Sequence, residues 1–421
     1  MRAQMRHDAM AFAEDLPEDG PAVVNGGAAL DTSAGRLSLT IHHSMAPLEA
    51  GWRELEADSW NSLHQSYDWC RAWAQTHGNP LVLVEGRLDG QIALLLPLEI
   101  ERSFLLRRAQ LIGSSFTNFN SGLFSAAFRR AAADILPHDL EALFVEALRD
   151  HVDLLSLTHV PLDWRGERHP LAALPHIRNQ NASFQLPLAA TMEESIAPLN
   201  AKSRRKKYRT QIRKLEATGG YDHIRPTQAG EQRALLETFF QQKAARFAAV
   251  GLPNVFQPSE TQAFFRMLIE HDRGGSDVPL ELHAIRLKGE HDGKIAAIAG
   301  LSRKGDHVIC QFGSIDDSLV ADASPGELLF WLVIERSALT GAAVFDFGIG
   351  DQDYKRRWCN IQTEHHDILL PIRPAGRLAA MTHRGMTRTK TLIKGNPHLY
   401  ALIQRWRAMG TSGQPLAKSD D

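Results

Sequence analysis

The spacing of hydrophobic and polar positions changes period several times along the chain. In RLSLTIHH (36–43), Leu37, Leu39 and Ile41 alternate with other residues, the two-residue period of a half-buried strand. In WRELEADSWNSLHQSYDWCRAWAQTHG, Trp69, Ala72 and Trp73 recur at i, i+3 and i+4, which predicts a helix stopped by Gly78. PLVLVEGRLDGQIALLLPLEIE then reads as two apolar strands joined at Asp89-Gly90, a dipeptide suited to the positive φ angles of a two-residue hairpin. Further strands are expected at 109–113, 121–125 and 153–158, with a helix near 138–149.

From about residue 191 a similar order returns. A helix over 193–217 opens with Thr191 and Glu194 at capping-box spacing. Helix 231–249 is amphipathic through Leu235, Phe239, Phe240 and Phe247, and a helix over 259–272 follows. LELHAIRL (280–287) is a strand, a second hairpin turns at Asp292-Gly293, and helix 324–341 leads into a strand at 343–348. Two Asp-Gly hairpins, each preceded by helices, predict one α/β module used twice, although the side-chain identity between the halves is low. The expected organisation is a mobile tail over 1–36, domains over 37–190 and 191–373, and a helical extension over 374–421 broken at Gly395-Asn396-Pro397.

Composition narrows the picture. With 421 residues the chain is too long for one ordinary domain. Lys and Arg total 47 against 49 Asp and Glu, a net charge of −2, so any electrostatic argument must be local. Cys70, Cys310 and Cys359 are too far apart in sequence for a metal-ligand pair and read as reduced thiols. The first twenty residues lack the apolar core of a signal peptide, and no run approaches the ~18 apolar residues of a membrane span. These features lead to the expectation of a cytoplasmic protein.

Three stretches could carry chemistry. DFGIGDQDYKRRW (346–358) opens like the metal-binding Asp-Phe-Gly of a protein kinase, but the Gly-rich loop, strand lysine and His-Arg-Asp loop of a kinase are missing. The apolar AAVF before Asp346 marks a strand end, and Gly348 and Gly350 mark a sharp turn. Asp346, Asp351, Asp353, Tyr354, Lys355, Arg356 and Arg357 crowd that turn, where loops commonly carry function; a plain turn after a buried strand is the alternative. In SPGELLFW (324–331), Ser324 suits an N-cap, Pro325 the first helical position, and Gly326 leaves the backbone bare. The unsatisfied N–H groups of such a helix start fit an anion such as pyrophosphate, or the helix is simply well capped. KSRRKKYRTQIRK (202–214) holds eight basic residues, Arg205 among them, opposite a packing face of Tyr208, Ile212 and Leu215. That helix is a solvated surface or a polyanion site for an acidic polysaccharide, a nucleotide phosphate or RNA. The pairs His42-His43 and His365-His366 are adjacent and do not have metal-ligand spacing, and no G-x-S-x-G nucleophile motif occurs.

The order SRRKKYRTQIRKLEATGG, QQKAARF, DGKIAAIAGL, SPGELLFWLVIERSALTG and FDFGIGDQDYKRRW resembles the CelD/BcsL group of GNAT-type acetyltransferases, named for a link to bacterial cellulose biosynthesis. That group belongs with the FemAB-like proteins, which use two GNAT-like domains in one chain. The resemblance covers roughly 190–373 well and the first half more loosely. It implies an α/β (α+β) fold of two GNAT-like domains, each a mixed sheet flanked by helices, with acyl-CoA in a gap beside a splayed strand. It places Ser324, Pro325, Gly326 and Gln311 on the donor, and Lys243, Arg246, Arg205 and Trp358 on substrate. Attack of an acceptor amine or hydroxyl on the thioester needs one base and one acid. Asp346, Asp353 or Glu281 is the expected base, Tyr354 the acid, and Lys355 the cation that counters the oxyanion. The Arg/Gln-x-x-Gly-x-Gly/Ala loop of single-domain GNAT enzymes is missing, and some FemAB-like relatives take an aminoacyl group from tRNA instead. The expected function is therefore acyl transfer from acyl-CoA to a sugar-derived or envelope-precursor acceptor. The alternatives are an aminoacyl-tRNA-dependent transferase and a non-catalytic saccharide-binding accessory protein of polysaccharide biosynthesis.

Overall fold

The computed structural model describes residues 28–103, 106–270 and 277–395. The first half supplies strands β1 (Ala28–Thr32), β2 (Gly35–His42), β3 (Leu81–Leu88), β4 (Gln91–Ser103), β5 (Leu106–Leu111), β6 (Leu123–Phe124) and β7 (Leu154–Val160). A separate two-stranded piece, β8 (Asp163–Trp164) and β9 (Glu167–Arg168), precedes β10 (His176–Pro187). The second half adds β11 (Tyr221–Ile224), β12 (Val278–Leu287), β13 (Ile295–Lys304), β14 (His307–Ile315), β15 (Val344–Ile349) and β16 (Ile361–Pro371).

Fourteen of these strands form one mixed sheet in the order β1-β2-β3-β4-β5-β7-β16-β10-β15-β14-β13-β12-β11, with β6 beside β4. Its helices are α1 (Glu49–Glu56), α2 (Tyr67–His77), α3 (Ala126–Ala131), α4 (Pro137–Leu148), α5 (Met192–Ile196), α6 (Ala201–Ala217), α7 (Ala229–Val250), α8 (Ser259–Glu270), α9 (Pro325–Leu339), α10 (Asp353–Trp358) and α11 (Pro374–Gly395).

Each half contains one parallel pair, and both pairs are short. β5 meets β7 only over Arg108–Leu154 and Ala109–Leu155, and β14 meets β15 only over His307–Val344 through Ile309–Asp346. The chain between the parallel strands runs through α4 in the first half and α9 in the second, as a parallel pair requires. This is the repeated module expected from the two Asp-Gly hairpins.

The sheet does not divide at residue 190, where a domain boundary was expected. β10, the last strand of the first half, pairs with β15 of the second half; β16, the last strand of the second half, pairs with β7 of the first. The two exchanged strands also pair with each other. Removing either half would strip the other of a central strand, because the backbone groups of β7 and β15 would lose their partners.

Several local expectations are corrected. The stretch expected as tail includes β1, which pairs with β2 from Ala28 onward. The helix expected over 193–217 is two helices. Thr191 and Glu194 form the capping box of α5, then Pro198 interrupts, and Asn200 accepts from Ser203 N–H at 3.3 Å to start α6. The first hairpin turns on Asp89 and Gly90, both at positive φ. The second uses the longer connection 288–294, because Gly289 lies backbone to backbone against Gly219 after α6, where a Cβ would sit 2.4–2.9 Å from its atoms. The break expected at Gly395-Asn396-Pro397 falls at the limit of the described residues.

Candidate active site

Beyond Ile309, β14 and β15 lose their mutual pairing although β14 continues to Ile315 and β15 to Ile349. A cavity of about 670 Å³ opens there. β14 contributes Cys310 through Ile315, β15 contributes Phe347 and Ile349, and α7 contributes Gln242, Lys243 and Arg246. Ser324, Pro325, Gly326 and Glu327 line it from the start of α9, and Gln352, Tyr354, Lys355 and Trp358 from α10.

The start of α9 is shaped for close approach. Ser324 adopts φ +50°, a left-handed conformation uncommon outside glycine, and its side chain makes no capping bond, contrary to the sequence expectation. Its carbonyl instead accepts from Glu327 and Leu328 N–H and from Gln211 Nε2 of α6. A Cβ on Gly326 would stand 2.5 Å from Ile315 Cδ1, so glycine lets the first turn of α9 lie on the end of β14. Pro325 has no N–H, and Glu327 and Leu328 N–H are taken by the Ser324 carbonyl, which leaves Gly326 N–H as the open donor of this turn. Glu327 is held by Lys207 and, at 3.7 Å, by Arg204 of α6.

The basic helix therefore docks beside this site. Arg204 lies 3.9 Å above the Trp358 ring and donates to the Arg357 carbonyl, and Lys214 donates to the Asp322 carbonyl at 2.7 Å. Lys207 lines the cavity. Arg205 does not; it pairs with Glu193 on α5.

Lys355 is a strongly perturbed base in the cavity wall. Its side chain is buried, and Nζ donates to the carbonyls of Ile349 at 2.7 Å and Gly348 at 3.2 Å. Burial, with no carboxylate in hydrogen-bond contact, lowers its pKa to about 8. Tyr354 stacks on Phe330 with ring centroids 5.4 Å apart and meets Phe347 edge-on. Gln352, the N-cap of α10, and Lys355 and Trp358 within the helix follow one another at three-residue intervals, and all three line the cavity. Gln352 Oε1 and Trp358 Nε1 are both buried and meet no hydrogen-bond partner among the described residues. Cys310 also lines the cavity, but burial pushes its thiol up to about 11, so it is no thiolate nucleophile at neutral pH.

The three carboxylates expected as bases are elsewhere. Asp346 is fully buried behind the wall, where its oxygens accept from Gln185 Nε2 at 2.7 Å, Gly348 N–H at 2.7 Å and His307 Nε2 at 3.3 Å. Burial alone would raise its pKa, but the His307 and Gln185 contacts lower it on balance, so as an anion it ties together the three strands β10, β14 and β15. Asp353 is exposed in the first turn of α10. Glu281 lines a separate cavity of about 320 Å³ with Arg225 and His283. Burial raises its pKa, yet the hydrogen bonds from His283 and Arg225 outweigh that and hold it near 2.

Gln311 is held by the first half of the chain. Its Nε2 donates to His64 Nε2 at 2.7 Å, and its Oε1 accepts from Asn118 Nδ2 at 3.1 Å. Asn118 Oδ1 in turn accepts from Ile349 N–H at 3.2 Å, so one asparagine bridges the two strands where they part. His64 is buried, donates through Nδ1 to the Phe119 carbonyl at 3.0 Å, and is kept neutral by burial, its pKa lowered to about 4. Neither Asn118 nor His64 carried a sequence signal, since both lie in irregular stretches with no motif.

Residues 202–356 match the protein family described as acetyltransferase (GNAT) domain. The second half of the chain contains a GNAT acetyltransferase domain. The matched stretch of this GNAT domain runs from the basic helix α6 to the middle of α10 and spans the splayed strands between them. Among solved structures, the crystal structure of FemX is similar in fold, with a TM-score of 0.58 at 13% identity over 81% of this chain and 99% of that one. A conserved protein of unknown function from Bacteroides thetaiotaomicron gives a TM-score of 0.51 at 10% identity, over 78% of this chain and 99% of that one. At these identities the likeness concerns fold alone. No match was found among curated proteins. Among the described residues, no helix is long and apolar enough to cross a membrane.

Proposed function

We propose that the chain moves an acyl group from acyl-CoA to an amine or hydroxyl of a sugar-derived or envelope-precursor acceptor. One observation carries this reading: the gap between β14 and β15 joins the start of α9 on one side to the Gln352–Lys355–Trp358 face on the other. An acyl donor fits the first side. Gly326 N–H and the Lys207, Lys243 and Arg246 side chains would hold its phosphates, and the edge of β14 beyond Ile309 would take its amides. When bound, acyl-CoA supplies a thioester carbonyl. The second side suits a group that both donates and accepts hydrogen bonds, because Trp358 Nε1 donates and Gln352 Oε1 accepts. A sugar hydroxyl or amine does both.

In this reading Lys355 works as an ammonium, countering negative charge on the carbonyl oxygen, while Tyr354 delivers a proton toward the departing sulfur. The acceptor N–H or O–H bond and the C–S bond break, the new C–N or C–O bond forms, and the acceptor's proton replaces the one Tyr354 gives up. No carboxylate from the expected set is needed in the cavity. Calorimetric titration of acetyl-CoA tests the donor side, with Gly326→Glu placing bulk and a negative charge at the helix start. Binding by the wild type that the variant loses supports the reading, and release of free thiol with a panel of amino sugars then identifies acceptors. No binding by the wild type rejects acyl-CoA as donor.

A second reading, transfer from aminoacyl-tRNA, draws on the exposed Lys202, Lys206, Arg209 and Arg213 of α6, the helix that also brings Lys207 to the cavity. Retention of tRNA that is lost when these charges are removed would favour it.

A further inference from the structure

Helix α11 has two unlike faces. One packs on the sheet through Gly376, Ala380 and Thr387, which are buried, against β7, β10 and β16. The fit is close, since a Cβ on Gly376 would overlap the Asp153 carbonyl. The opposite face carries Leu378, Met381 and Leu392, exposed to 69%, 68% and 71%. At about 100° per residue these three fall within roughly 60° of one another, along about 21 Å of helix axis. Arg377, Arg384 and Arg388 form a row along one flank of that stripe. The sequence 374–395 contains five Lys and Arg residues and no Asp or Glu.

We infer that this face of α11 lies on an anionic lipid surface, with Leu378, Met381 and Leu392 in the headgroup boundary and the arginines on lipid phosphates. A basic amphipathic helix with an outward apolar stripe has the physical character of an in-plane membrane helix. Charge decides against the other occupants. A second copy would set one cationic face against another. The chain beyond the helix, 396–421, carries Arg405, Arg407 and Lys418 against Asp420 and Asp421, so it cannot neutralise the row. The inference does not depend on the acceptor proposed above, although a surface-held enzyme would meet lipid-linked precursors more often than free ones.

Co-sedimentation of the full chain with phosphatidylcholine vesicles, with and without about 30% phosphatidylglycerol, tests it. The expected result is binding to the anionic vesicles alone, weakened by salt and reduced about tenfold or more by Leu378→Glu with Met381→Glu. Arg377→Gln with Arg388→Gln should remove much of the salt-sensitive part. Both pairs of substitutions are on exposed positions, so an unchanged Tm confirms that folding is intact. Equal binding to neutral vesicles, or no binding to either, overturns the inference. So does a concentration-dependent dimer that Leu378→Glu dissolves, with no vesicle binding.

Discussion

Asn118 donates to the side-chain carbonyl of Gln311 across 193 residues of sequence, and it does so at the point where β14 and β15 separate. The same side chain accepts from Ile349 N–H on the other strand. The gap in the GNAT domain is thus held open at a fixed width by a residue of the other half.

Replacing Asn118 by Ala leaves Gln311 Oε1 and Ile349 N–H without partners, at a cost of about 1–3 kcal/mol. Stability measured by denaturant should fall by that amount. With acetyl-CoA, kcat should fall more than KM rises, because the groups proposed to hold the donor phosphates lie elsewhere in the cavity. A variant with unchanged kcat would show that the bridge does not set the reacting geometry.

The charge on Lys355 makes a pH prediction. With a pKa of about 8 in the folded protein, the ammonium form is lost as pH rises through 8. If the ammonium is the working form, kcat should decline above pH 8 in the wild type, and Lys355→Met should be low and flat across that range. The unfolded chain has the ordinary lysine pKa of ~10.4 and binds more protons between the two values, so this group makes the fold more stable as pH rises from 8 to 10. Falling activity with rising stability over one pH window would distinguish loss of the charge from unfolding.

Gly326→Ala should be milder than Gly326→Glu. The added methyl meets only the far end of Ile315, a half-exposed side chain that can move. Acetyl-CoA affinity should drop less than about tenfold for Ala and beyond detection for Glu, as read by calorimetry.

Acid stability should follow three buried imidazoles. His64, His169 and His365 are each lowered to about 4, in every case first by burial. The unfolded chain takes up these protons near pH 6.5 while the folded one does not, so stability is full above 6.5 and falls as pH drops toward 4. Denaturant midpoints at pH 7, 6 and 5 should decrease steadily, and His64→Gln should flatten part of that slope.

The sequence alone determined much about local structure, because local structure follows from period and punctuation. Leu37, Leu39 and Ile41 marked β2, Trp69 and Trp73 marked α2, and Asp89-Gly90 marked the hairpin, each through contacts made within a few residues. The cluster around Tyr354 and Lys355, and the start of α9 at Pro325, were also legible, since the turn and helix signals there are short-range. What tertiary structure decided was which side chains face the cavity. Asp346, Asp353 and Glu281 have the chemistry of a base, but only packing shows one buried, one on the surface and one in another cavity. The strands β10 and β16 did not stand out, because His365, Ser183, Asp367 and Asn179 interrupt their apolar pattern. Those polar groups are tolerated at the centre of the sheet because they bond to one another across it: His365 to Ser183 at 2.9 Å and Asn179 to Asp367 at 2.8 Å. Partners 182 and 188 positions apart leave no periodic trace, and they tie the two exchanged strands, β10 and β16, to each other.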